Sequence, residues 1–86
     1  MQIDGALIKE QGITFGIIVV KPPVLDDQTK SNEMLSFGRQ LFGAVPIILA
    51  AQDNHGRFTY YGRPDIVKFL ANISASRIPW KTYTIN

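Results

Sequence analysis

The stretch Val45 to Leu70, VPIILAAQDNHGRFTYYGRPDIVKFL, limits the folds open to this chain more than any other. Val45, Ile47, Leu49 and Ala51 fall on one side of an extended segment, and Pro46, Ile48, Ala50 and Gln52 fall on the other. Both sides are apolar over most of the run, the pattern of a strand covered on both faces. Pro46 cannot donate to a ladder and so belongs at the first residue of the strand. Asp53-Asn54-His55-Gly56 follows with turn chemistry, and Arg57 to Tyr61 is rich in aromatic and β-favouring residues, so the two runs form a hairpin. Gly62-Arg63-Pro64-Asp65 ends the second strand and opens a helix. Pro64 suits the first helical position, and Asp65 sets negative charge against the positive end of the helix dipole. Ile66, Phe69, Leu70 and Ile73 then recur at the spacing of an amphipathic helix.

Upstream, ITFGIIVVK (Ile13 to Lys21) reads as a second strand, apolar on both sides in its later half and therefore central in a sheet. Gly16 inside it suggests a bulge or a close neighbour. The short apolar run Ala6 to Lys9, with a turn at Glu10-Gln11-Gly12, pairs with it as an antiparallel hairpin. Pro22-Pro23 stops the strand, and the segment as far as Lys30 reads as loop. Asp27, Thr29 and Ser31 are all able to cap the helix that follows. Met34, Leu35, Phe37, Leu41 and Phe42 give that helix a wide apolar face, with Gly38 on it for close approach to the sheet and Gly43 as a left-handed cap. Ser74 to Pro79 is irregular, and Trp80 to Ile85 alternates as a final strand.

The order strand, strand, helix, strand, strand, helix and a last strand specifies an α+β domain with a mixed sheet of four or five strands. A crossover helix makes the Ile13–Val20 and Val45–Ala51 strands parallel. With both helices packed on one face, Ile18, Val20, Ile48 and Ala50 are left pointing away from them. Such a patch marks an interface, so the expected partner is protein, first a second copy of the chain in a homodimer, with Trp80 and Tyr83 as anchors. The alternative is a strongly twisted sheet capped by Ile78 and Trp80 within one subunit.

Ala44 to Ser74, with Val45-Pro46 ahead of a strand, then a hairpin, Gly62 and an amphipathic helix, resembles the closing strand–strand–helix unit of thioredoxin-fold proteins. The resemblance covers about a third of the chain and implies, as an alternative fold, a reduced thioredoxin-like core of strand, helix, two strands and helix. It also implies a cis peptide bond before Pro46. The cysteine pair that carries that family's redox chemistry has no counterpart here.

The 86 residues fit a single domain spanning 1–86, with 45% hydrophobic and 19% charged residues. Without cysteine the chain has no disulfide, thiolate zinc site or thiol chemistry. No apolar run reaches the roughly 20 residues of a membrane span, and no secretory signal is visible, so the default location is the cytoplasm. The net charge is +2 and the basic residues are scattered, whereas nucleic-acid binders usually carry a basic stripe. The best nucleic-acid set is Arg57, Tyr60, Arg63 and Lys81, with Tyr60 and Tyr61 on opposite sides of their strand.

His55 is the sole histidine; beside Asp53 it is a conceivable ligand or acid–base group, set against an ordinary exposed turn residue. If the central strands are parallel, their carboxyl ends gather Lys21, Asp26, Asp27, Gln52, Asp53 and His55 near a helix N-terminus, where ligands of open α/β sheets bind. The opposing reading is a solvated loop edge. Asp26-Asp27 reads better as loop and cap than as paired catalytic carboxylates. Neither a nucleophile elbow nor a phosphate loop is present, and no cofactor motif is found. The sequence therefore favours a non-enzymatic interaction domain, with nucleic acid, or a small molecule or metal at the Lys21/His55 edge, as alternatives.

Overall fold

A computed structural model describes residues 2–10 and 12–84. Gln11 of the first turn and Ile85 of the last strand lie outside the described residues. The chain builds one mixed five-stranded sheet in the order β4-β3-β2-β1-β5. In sequence these are β1 (Gln2–Glu10), β2 (Ile13–Val20), α1 (Pro22–Leu25), α2 (Gln28–Phe42), β3 (Ile47–Gln52), β4 (Phe58–Tyr61), α3 (Pro64–Ala71) and β5 (Lys81–Thr84), with a 3-10 turn at Ala75–Arg77. The central pair β2/β3 is parallel, Ile17 opposite Ile48 and Ile18 opposite Leu49. Every other pairing is antiparallel. The α+β class and the element order are those the sequence specifies.

The two long helices lie on opposite faces, correcting the expectation that both share one. Ile18, Val20, Ile47, Leu49 and Ala51 form one core with Met34, Leu35, Leu41 and Phe42 of α2. Phe15, Ile17, Ile48 and Ala50 form the other with Ile66 and Leu70 of α3 and with Ile78. The connectivity explains it. The link from β2 to β3 carries α2 over one face, and the chain must then travel from β4, at one edge, to β5, at the other. That path is open only across the face α2 does not occupy.

Burial follows from that arrangement. Ile18 and Ile48 are 0% exposed and Val20 is 8% exposed, each covered within one subunit. The apolar patch expected at Ile18, Val20, Ile48 and Ala50 does not exist as one surface, because Ile18 and Ile48 face opposite ways. Ile78 and Trp80 do pack on the sheet within one subunit, but beside α3 on its own face and not on a face that both helices leave bare. The Trp80 indole stacks on Phe58 at 5.2 Å, and its Nε1–H donates to the Ala75 carbonyl at 3.0 Å.

Several local details depart from the sequence reading. Pro22–Leu25 is a helical turn and not loop. Ser31, buried in α2, donates its hydroxyl to the Val24 carbonyl at 2.7 Å and ties that turn to the helix. Asp27 is the α2 cap, accepting from the Lys30 amide at 3.1 Å. Gly43 takes a positive φ of 89° with ψ −162°, so the helix ends on an extended residue and not on a left-handed cap. The Pro46 peptide is trans, since no cis bond occurs among the described residues. Gly16 has the close neighbour: the Phe42 ring lies where a side chain would stand.

Candidate functional site

The carboxyl ends of β2 and β3 do bring part of the polar set together. A shallow hollow of about 240 Å³ is lined by Pro22, Leu25, Asp26, Ala51, Asp53 and Thr59. Of the six polar residues, Asp26 and Asp53 alone line it. Asp27 serves as helix cap, and Gln52 spends its amide on the Gly56 carbonyl at 3.0 Å. Lys21 precedes α1 and is exposed.

Asp53 organises the hairpin turn. Its Oδ1 accepts from the amides of Arg57 at 3.0 Å and His55 at 2.8 Å, and Oδ2 lies 3.4 Å from the Arg57 guanidinium. Those bonds, the Arg57 amide foremost, hold its carboxyl below the ordinary range. A carboxylate so engaged is a turn fastener and a poor proton acceptor. His55 is exposed, and its recorded contact is through its backbone amide. Among the described residues no three His, Cys, Asp or Glu side chains converge as a metal site requires.

The proposed nucleic-acid residues are dispersed. Arg57 pairs with Asp53, and Arg63 donates to Asp65 at 2.8 Å, which holds the Asp65 carboxyl below its usual value. Tyr60 packs into the α3-side core, where burial raises its phenol. Lys81 is on β5, at the opposite edge of the sheet, with its ammonium 5.5 Å from the Tyr83 ring. Tyr61 faces away from Tyr60, as strand alternation requires, and is exposed.

Trp80 and Tyr83 do not form one anchor pair either. Trp80 belongs to the α3-side core, whereas Tyr83 stands on the α2 side, edge-on to Phe42 at 5.2 Å. On that side a different surface emerges. Five strands spaced by about 4.8 Å make a sheet roughly 20 Å across, and one helix about 10 Å wide covers only part of it. On the α3 face the segment carrying Ile78 and Trp80 covers the remainder. On the α2 face Phe42 reaches toward the β1/β5 half, lying over Gly16 with its ring edge near Gly5.

Leu7 is the consequence. It stands on β1, an interior strand, opposite Gly16, and is 48% exposed. Half-buried Ile3 and Tyr83 flank it across the β1/β5 pair. Lys9 and Lys81 face the same side by strand alternation. The sequence reading passed over this surface. The signal was available in the hairpin register, which sets Leu7 across from a residue without a side chain.

Among the described residues no helix is long and apolar enough to cross a membrane. The chain matches no protein-family model, no curated protein and no solved structure.

Proposed function

We propose that the protein is a non-enzymatic interaction domain that pairs with a second copy of itself through the open half of the α2-side face. The observation that carries this is Leu7, 48% exposed on an interior strand, with Ile3, Phe42 and Tyr83 around it. β1 is antiparallel to both neighbours, and such a strand is free to leave one face to water, but that face then normally carries polar residues. A contiguous apolar patch there marks a contact surface, and two-fold pairing is the commonest closed assembly. A second copy presents the same flat Leu7–Tyr83 surface, and packing the two removes both from water. Lys9 and Lys81 at the margin keep the free surface from sticking indiscriminately.

Light scattering on eluting protein at micromolar concentration tests this. The expected species has twice the 9.6 kDa chain mass, and Leu7→Glu returns it to the single-chain mass with an unchanged circular dichroism spectrum. A lone-chain mass for the unaltered protein overturns self-association.

A further inference from the structure

Two of the hollows on the α3-side face adjoin at Glu10 and Phe69, and self-association leaves both untouched. The larger, about 370 Å³, lies between β1 and the segment after α3, over a floor of Ile8, Phe69, Ile73 and Ile78. The smaller, about 110 Å³, runs beside the start of α3 and shares Glu10 and Phe69 with it. Two opposite charges border the larger hollow: Glu10 at the end of β1 and Arg77 of the 3-10 turn. Among the described residues neither has an ion-pair partner, and they do not pair with each other. The other charged group lining the pair of hollows, Asp65, is already held by Arg63.

We propose that this hollow binds a free α-amino acid with an apolar side chain. The ammonium group sits at Glu10, the carboxylate at Arg77, and the side chain lies against Phe69, Ile73 and Ile78. The volume is within the usual range for small-ligand sites, roughly 300–1,000 Å³, whose walls are mostly apolar with a few polar groups fixing orientation. A purely apolar ligand leaves both charges without a use. A simple carboxylate meets Arg77 but brings its charge near Glu10, and a simple amine has the converse conflict. A zwitterion satisfies both at once. Arginine's planar fork favours a carboxylate end, and charge-assisted bonds at both ends supply the selectivity.

Two-dimensional NMR of the unaltered protein, titrated with leucine or phenylalanine to about 20 mM, tests the site. Saturable shifts are expected at Ile8, Phe69, Ile73 and Ile78. 4-Methylpentanoate and 3-methylbutylamine, which each carry one of leucine's two charges, are expected to bind at least about tenfold more weakly. Glu10→Gln and Arg77→Gln, both on exposed residues, should each weaken leucine by a similar factor while leaving the melting temperature unchanged. Absence of saturable shifts with both amino acids overturns the site, and equal binding of the acid or the amine overturns the zwitterion assignment. Leu7→Glu lies on the opposite face, so it should leave leucine binding intact whether or not the chain pairs.

Discussion

Gly38 lies in the middle of α2, where alanine would improve helix propensity by about 1 kcal/mol. The sheet opposes that gain. A Cβ at this position would stand 2.6 Å from Ile47 Cγ2 and 3.3 Å from Ile18 Cγ1. Ile47 is β-branched, and its Cγ2 cannot swing away as the end of a long side chain can. Overpacking of this kind costs typically about 1–3 kcal/mol, so the clash outweighs the propensity. Gly38→Ala is expected to destabilise the protein by about 1 kcal/mol net, measured by urea unfolding with an unchanged m-value. This glycine's role was legible from its place on an apolar helical face. Phe42's role was not, because it depends on Gly16, and nothing in the spacing of α2 says which strand residue its ring will meet.

The hairpin turn between β3 and β4 is an element whose chemistry responds to pH. Asp53 accepts bonds from its own turn when ionised, and its folded carboxyl titrates below the unfolded one. A depressed carboxylate contributes stability above its unfolded value and loses it as pH falls through the folded one. The loss is therefore expected below about pH 4, the ordinary carboxylate range. Asp53→Asn keeps an acceptor for the same amides but cannot titrate. Melting curves between neutral and strongly acidic pH should show a shallower acid decline for this variant than for the unaltered protein. Equal declines would show that Asp53 does not govern it.

The same scale shows why some elements could be read from residues and others could not. Both hairpins and the parallel central pair followed from turn residues and from runs apolar on both sides. The side of the sheet each residue faces did not follow, because it depends on register between neighbours. Grouping Ile18 with Ile48 is a one-residue error, and one residue turns every side chain to the other face. The full length of β1 was hidden too. Gln2 to Asp4 are not strand-like in composition, and they extend because β5 supplies ladder partners, with Thr82 donating its hydroxyl to Asp4 at 2.7 Å.

Across the whole molecule the decisive quantity is the width of the sheet against the cover available. One face is closed by α3 and the Ile78–Trp80 segment, and the other is half closed by α2. If a second copy completes that cover, folding and pairing share one equilibrium, and thermal stability must depend on concentration. The melting temperature is expected to rise with protein concentration, and Leu7→Glu should abolish that dependence. A melting temperature independent of concentration in the unaltered protein would leave the half-open face as a surface the monomer tolerates. The polar edge at Asp26 and Asp53 was legible from sequence as a place. Its chemistry was legible in part: Asp27 as a candidate cap and Asp53 as a turn residue followed from residue type, whereas the bond from Gln52 to the Gly56 carbonyl emerges only when the hairpin closes.

The pairing of β5 with β1, Gln2 opposite Thr84, also sets an order of events during synthesis. As the chain emerges from the ribosome, β1 and β2 can zip together early, but the outer rim of β1 stays unmatched until Lys81 to Thr84 have been made. Until then that rim is an open template, available to any passing extended segment. The last strand to appear is the one that seals the first.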